Sequence, residues 1–192
     1  MLLDDKKQIE LLRRGIEVIC VSIDGAKKET VERIRIGSHF ETIIKNVKGF
    51  IAKGGMVRTI YTVRDNNIND LVDFVDLAGD LGLWYIKCTG LIAYTQDDVK
   101  HCLYSYEGIP EVDDILRKAC EKANAKKIVF TYRPTKMVDD DGYCCLAQTM
   151  YIGVHGDVSP CVYLSQPTHL SLLDKTRTTE PVSWGNILEK PA

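Results

Sequence analysis

Apolar and polar residues alternate along this chain between a helical and a strand-like pattern. Asp4 to Arg14 predicts a helix, with acids at its start, Arg13 and Arg14 at its end and Gly15 as the stop. Glu17 to Ile23 (EVICVSI) is mostly apolar and β-branched, which predicts a strand buried on both faces of a parallel sheet. Asp24-Gly25 is a turn signal, and Val31 and Ile34 sit in a short charged helix leading to Gly37. Ser38 and Glu41 have capping-box spacing. After them Phe40, Ile43, Ile44, Val47, Phe50 and Ile51 mark one helical face, ending at Gly54-Gly55. Met56 to Val63 predicts the next strand. Ile68 to Leu81 predicts an amphipathic helix with Leu71, Val72, Val75 and Ala78 inward, and Leu83 to Cys88 a third strand.

Each crossover is long enough to hold a helix, so these strands are expected to run parallel. The fold class is α/β, and part of a barrel is preferred to a doubly wound sheet, because no glycine-rich phosphate loop follows any strand. From Thr89 to Gly108 the pattern thins, and Tyr94, Tyr104 and Tyr106 suggest loops that line a cleft. Pro110 opens a helix to about Ala125, and Ile128 to Tyr132 predicts a last strand. Tyr151 to Val154 and Val158 to Pro160 flank His155-Gly156-Asp157, a short β-hairpin with Gly156 at the special-dihedral position. After Leu164 the chain is polar and weakly patterned, and an irregular tail is expected.

Length and charge narrow the function. At 192 residues, 45% hydrophobic and with a net charge of −2, the chain suits one core, or one core with an appendage. No basic block stands apart from its acidic neighbours, which argues against nucleic acid or an anionic membrane as partner. No apolar run is long enough to span a bilayer, and the first residues do not form a signal peptide. Seven cysteines in such a chain point to a reducing compartment, so a cytoplasmic protein is expected.

Candidate chemistry lies in two places. In a parallel α/β barrel, functional groups collect at the carboxyl ends of the strands. Ser22 and Asp24 end the first strand, Asn66 and Asn67 follow the second, and Lys87, Cys88 and Thr89 end the third. Each also has a plainer reading, with Asp24-Gly25 as a turn and Asn66-Asn67 as a helix cap. At the hairpin, Cys144 and Cys145 precede the first strand and Cys161 follows the second. A hairpin brings its ends together, so one earlier thiol and Cys161 can converge on a metal or cluster; reduced core thiols are the alternative. Cys20, Cys88 and Cys120 read as packing residues, and the His101-Cys102 pair is a weak ligand signal.

The hairpin resembles the entry motif of the SPASM domain of radical S-adenosylmethionine enzymes. Cys145-Leu-Ala, then Gly156-Asp-Val-Ser-Pro-Cys161, and later Gly185-Asn186-Ile187 carry that resemblance. It implies that Cys145 and Cys161 ligate an auxiliary four-iron–four-sulfur cluster, with Cys144 as a possible replacement for Cys145. Val21 to Gly25 (VSIDG), Glu32 to Arg35 (ERIR) and Gly37 resemble the middle of the family's barrel. The resemblance implies that Ser22 contacts the methionine end of S-adenosylmethionine, that Arg35 pairs with its carboxylate and that Asn66 contacts its ribose, with Asp24 in the same cofactor-binding group. It further implies a partial TIM-type barrel, roughly its second half, over residues 1–135, and the start of a SPASM- or twitch-like domain over 136–192.

Two departures qualify this. The family's C-x3-C-x2-C triplet, which holds the cluster that binds and reduces S-adenosylmethionine, is absent here, and so are the later cysteines of a full SPASM domain. The expectation is a middle portion of a longer enzyme or a truncated reading frame, which exposes a raw sheet edge and does not cleave S-adenosylmethionine alone. Two functions stay open. One is part of a radical enzyme that modifies a peptide or protein or matures a cofactor, with S-adenosylmethionine and a second cluster in the full-length protein. The other is a non-catalytic α/β binding module with a structural metal at the hairpin cysteines.

Overall fold

A computed structural model describes residues 3–136, 150–172 and 175–189, with side chains left out of the description over 170–177. In chain order the elements are α1 (Asp5–Arg13), β1 (Val18–Ser22), α2 (Lys28–Ile34), α3 (Phe40–Ala52), β2 (Met56–Val63), α4 (Leu71–Leu81) and β3 (Tyr85–Gly90). Then come α5 (Gln96–Val99), α6 (Pro110–Ala125), β4 (Val129–Thr131), β5 (Tyr151–Ile152), β6 (Val158–Ser159), β7 (Thr168–Leu172) and β8 (Lys175–Thr179). The chain divides into two units: Met1–Leu91 with His101–Met137, and Ile92–Lys100 with Val138–Ala192.

The first unit is built on a four-stranded sheet of order β1-β2-β3-β4, parallel throughout. Consecutive order follows from helical crossovers of one hand, which lay every helix on the same side. Burial along β2 accordingly alternates: Val57, Thr59, Tyr61 and Val63 are buried, whereas Met56 and Arg58 are exposed. On the covered side Ile86 and Phe130 join Val47 and Phe50 of α3, Phe74 and Val75 of α4 and Leu116 of α6 in one core. The Tyr61 and Phe74 rings meet at 5.1 Å between centroids, and the Tyr61 hydroxyl donates to the Asn67 carbonyl at 2.7 Å. Fully burying an aromatic of this size contributes about 2–3 kcal/mol. Helix α1 is fastened to α3 through Gln8, 1% exposed, which donates to the Asn46 carbonyl at 3.2 Å and accepts from Lys53 Nζ at 2.8 Å.

Several sequence expectations change here. β1 is not buried on both faces: Val18 is 41% exposed and Cys20 is exposed, because among the described residues β1 is an edge strand and only one face of the sheet carries helices. The Ser38 capping box does not form. Helix α3 starts at Phe40, whose N–H donates to Glu32 Oε1 at 3.0 Å, while Glu41 pairs with Lys28 at 3.0 Å. A tertiary carboxylate has displaced the local cap. Helix α4 begins one 3-10 turn late, after Ile68–Asp70, and stops at Gly82 with φ +78°.

In the second unit, the thin stretch after Thr89 contains α5, closed by a capping box between Thr95 and Asp98. The predicted hairpin forms as antiparallel β5 and β6, with Gly156 at φ +87°. The tail after Leu164 is not irregular: β7 and β8 pair antiparallel from Thr168↔Thr179 to Leu172↔Lys175. Their threonines are β-branched and suit extended backbone, a signal carried by side-chain shape rather than by apolar periodicity. Among the described residues no helix is long and apolar enough to cross a membrane.

Candidate functional site

The carboxyl ends of β1 and β2 are tied together by two buried polar side chains. Beyond Ser22 the Ile23 N–H still donates to the Ile60 carbonyl at 3.2 Å, so the ladder carries the chain to Asp24. Asp24 is 2% exposed and accepts from the Thr62 N–H at 2.7 Å. Its other carboxylate oxygen lies 2.6 Å from Arg35 Nε. That is an ion contact and not a directed hydrogen bond, since no hydrogen bond satisfies Nε among the described residues. Asn67, also 2% exposed, donates to the Asp24 carbonyl at 3.1 Å and the Thr62 carbonyl at 2.8 Å, and accepts from the Arg64 N–H at 2.8 Å. The large majority of buried polar groups in proteins are paired, and these pairs fix where both loops leave the sheet.

The structure thus separates the sequence candidates by role. Asp24 has both carboxylate oxygens engaged within the chain, so it holds Arg35 in place. Arg35, just past α2, keeps 37% of its side chain exposed while its Nε lies against Asp24, two residues beyond the end of β1 at Ser22. Asn66 is anchored by its backbone, whose carbonyl accepts from an Arg33 guanidinium N–H at 2.8 Å, while its side-chain oxygen is buried without a partner. Ser38 Oγ and Arg64 Nε are likewise buried and unpaired among the described residues, and the Ser38 N–H donates to the Arg35 carbonyl at 2.9 Å. Sequence reasoning missed Ser38, Arg64 and the part played by Asn67. Only the Asn66-Asn67 dipeptide flagged that loop, with no hint of which asparagine turns inward.

Further along this edge, His101, of the His101-Cys102 pair, has its Nδ1 2.7 Å from Asp65 Oδ1. Tyr104 packs against Gly90 and donates to the Arg133 carbonyl at 3.3 Å; burial pushes its phenol up to about 12. Tyr94 and Tyr106 are exposed. Cys88 is buried on the covered face, and burial drives its thiol well above the ordinary range.

In the second unit the hairpin gains a third strand-like segment. The Val158 N–H donates to the Gly185 carbonyl at 2.9 Å, the Trp184 N–H to the Val158 carbonyl at 2.8 Å and the Ile187 N–H to the Gly156 carbonyl at 3.0 Å. Asn186 Nδ2 donates to the His155 carbonyl at 2.8 Å and to Asp157 Oδ1 at 3.1 Å. A Cβ on Gly156 would fall 2.6 Å from Asn186 Oδ1, so glycine is required by both dihedral and space. Gly156 to Cys161 and Gly185 to Ile187, distant in sequence, are therefore one structural feature. Cys161 is half-buried at the end of that hairpin, whereas Cys144 and Cys145 lie outside the described residues. Among the described residues no group of three or more His, Cys, Asp or Glu is placed to hold a metal ion.

Neither a protein-family model nor a curated protein sequence matches this chain. Solved structures do. Streptococcus suis SuiB matches with a TM-score of 0.60 at 12% identity, over 85% of this chain and 48% of that one. SuiB bound to S-adenosylmethionine matches with a TM-score of 0.59 at 12% identity, over 84% of this chain and 39% of that one. SuiB bound to its precursor peptide SuiA gives 0.53 at 12%, over 76% and 37%. The chain spans less than half the length of the SuiB chains it matches. At this identity the likeness is one of fold: a mixed α/β chain with a four-stranded parallel sheet, folded as the matching part of SuiB is.

Proposed function

We propose that this chain is the cofactor-facing part of a radical S-adenosylmethionine enzyme that modifies a peptide. In this reading residues 1–135 are roughly the second half of a (β/α) barrel, and 136–192 begin a SPASM- or twitch-like domain. Three things support it: the sequence motifs, the consecutive parallel order with helices on one face, and a fold like that of SuiB, which was crystallised with S-adenosylmethionine and with a precursor peptide.

The observation that carries the reading is that polar atoms in the loops after α2 and β2 are buried without a partner among the described residues. They are Ser38 Oγ, whose backbone N–H donates to the Arg35 carbonyl, and Arg64 Nε and Asn66 Oδ1 just past β2. A buried donor or acceptor without a partner costs about 1–3 kcal/mol. A polar ligand carrying a carboxylate and hydroxyls offsets that cost, and S-adenosylmethionine has both. Arg35 meets the carboxylate with its outer nitrogens, a geometry suited to the planar guanidinium fork, and Asp24 keeps the fork oriented. Ser22 and Asn66 take the methionine end and the ribose.

Bound beside its own cluster, S-adenosylmethionine supplies a 5′-deoxyadenosyl radical. The cysteine triplet for that cluster is not in this sequence, so the purified chain binds the cofactor without cleaving it. Cys145 and Cys161, with Cys144 as substitute, are the proposed thiolates of an auxiliary cluster.

The test is a titration of the ¹⁵N-labelled chain with S-adenosylmethionine, followed by amide shifts. Shifts clustered at Ser22, Arg35 and Asn66 are expected, lost in Arg35→Ala and weakened in Asp24→Asn. Unchanged shifts in Arg35→Ala, or shifts scattered elsewhere, would remove the site.

A further inference from the structure

The helix-free face of the sheet has a charge pattern that the cofactor site does not use. Register places Cys20, Arg58 and Tyr85 in one row across β1, β2 and β3, and Ile60, Lys87 and Thr131 in the next row across β2, β3 and β4. None of the side chains on this face is acidic. Arg58 and Lys87 are both exposed, and neither forms an ion pair among the described residues. On the helical side several cations are paired: Lys28 with Glu41, Arg117 with Asp114 and Glu121, Lys122 and Lys126 with Asp76. On the open face the two cations stand on a floor of apolar, thiol and hydroxyl side chains with no carboxylate beside them.

Their spacing is informative. Adjacent strands lie about 4.8 Å apart and two residues of strand rise about 6.6 Å, so the two backbone origins are roughly 8 Å apart on the diagonal. Alternate residues of an extended peptide are spaced by about 6.6 Å, and the long Arg58 and Lys87 side chains span the small difference. Two cations there match carboxylates at positions i and i+2 of an extended segment, or straddle one.

We infer that this face selects a substrate segment rich in Asp or Glu, held by Arg58 and Lys87. This deepens the proposed function, on which it rests, by naming the substrate chemistry. The exposed apolar side chains of Met56 and Val129 on the same face supply contact area, and the two cations supply selection. A peptide bound here runs beneath the carboxyl ends of β1 and β2, where the cofactor residues stand.

The experiment uses the 192-residue chain and three fluorescein-labelled peptides of equal length, alternating Glu-Gly, Gln-Gly or Lys-Gly, read by anisotropy. The Glu-Gly peptide is expected to bind at least about 10-fold tighter than the Gln-Gly peptide, with a preference that falls as salt rises. Arg58→Gln with Lys87→Gln abolishes the preference, and Arg58→Glu with Lys87→Glu moves it to the Lys-Gly peptide. Arg13→Gln on α1 leaves it unchanged. Equal binding of Glu-Gly and Gln-Gly peptides, or a preference that survives Arg58→Gln with Lys87→Gln, overturns the inference. So does concentration-dependent self-association that those substitutions disrupt, which would give the face to a second copy of the chain. The amide titration with S-adenosylmethionine is repeated on the Arg58→Gln, Lys87→Gln chain. In that double variant, cofactor shifts kept with the acidic preference abolished are the expected result; in the unaltered chain, cofactor shifts without acidic-peptide preference sink this inference alone, and preference without cofactor shifts sinks the cofactor reading alone.

Discussion

The two faces of the parallel sheet come from the same four strands and have opposite jobs. On one, Val57, Tyr61, Ile86 and Phe130 are sealed beneath α3, α4 and α6. On the other, one residue along in each strand, stand Cys20, Arg58, Lys87 and Thr131, open to solvent. A strand places successive side chains on opposite faces, so one sequence writes both patterns at once. The covered face specifies stability. The open face is released from packing, and so it can carry cations, a thiol and hydroxyls at little structural cost. The cofactor candidates sit between the two, where the strands end and the backbone must turn.

The largest predicted contrast is chemical. Cys20 and Cys88 lie on adjacent-but-one strands and opposite faces, one exposed and one buried with its thiol pushed up. Iodoacetamide is expected to alkylate Cys20 on the order of 10³-fold faster than Cys88, whose access requires opening of the core. Mass spectrometry of timed samples checks this, and comparable rates would mean that the two faces are not distinct.

Stability gives the next contrast. Phe74→Ala empties a fully buried site against Tyr61 and is expected to cost about 3–5 kcal/mol in urea unfolding. Met56→Ala on the open face, 45% exposed, is expected to cost about 0.5 kcal/mol or less. Similar losses from both would contradict the assignment of the core to one side.

The second unit provides a narrower test. Gly156→Ala forces a side chain into the left-handed region and against Asn186 Oδ1, with an expected cost of about 1–3 kcal/mol. Hydrogen exchange should speed up at the Trp184 and Ile187 amides, while the amides of β2 stay protected.

The smallest effect is electrostatic and confined to the helix layer. Hydrogen bonds from Lys122 and then Lys126 hold the Asp76 carboxyl below its ordinary value of 3.8. A depressed carboxyl contributes stability that is present above the unfolded-state value and is lost as pH falls through the folded-state value. Asp76→Asn should therefore lower the urea midpoint slightly near neutral pH. Near pH 2 the difference from the unaltered chain should be gone, since both then carry a neutral side chain there. A difference that persists in acid would assign the effect to packing between α4 and α6 instead.

By itself the sequence determined the elements whose signals are local. The helix from Pro110, the strand from Met56 to Val63 and the hairpin around Gly156 all stand where apolar period, proline and glycine put them. Their order fixed a parallel α/β sheet, because each crossover was long enough for a helix. The first candidates, Ser22, Asp24, Arg35 and Asn66, were legible because strand ends are legible. What each of them does was not. Asp24 turns inward to hold Arg35 because the Thr62 N–H and a guanidinium converge on it from β2 and from the segment after α2. Asn67 and not Asn66 is the buried fastener for a similar reason. The Ser38 cap did not form because Glu32, a residue from another helix, takes the Phe40 N–H and the helix starts there, with His39 in the cap position. The apolar run from Glu17 to Ile23 could not report that one side of its sheet carries no helices, since composition records how apolar a strand is and not what covers it. Tertiary structure alone made those choices, because each depends on a donor, an acceptor or a neighbour that is far away in the chain.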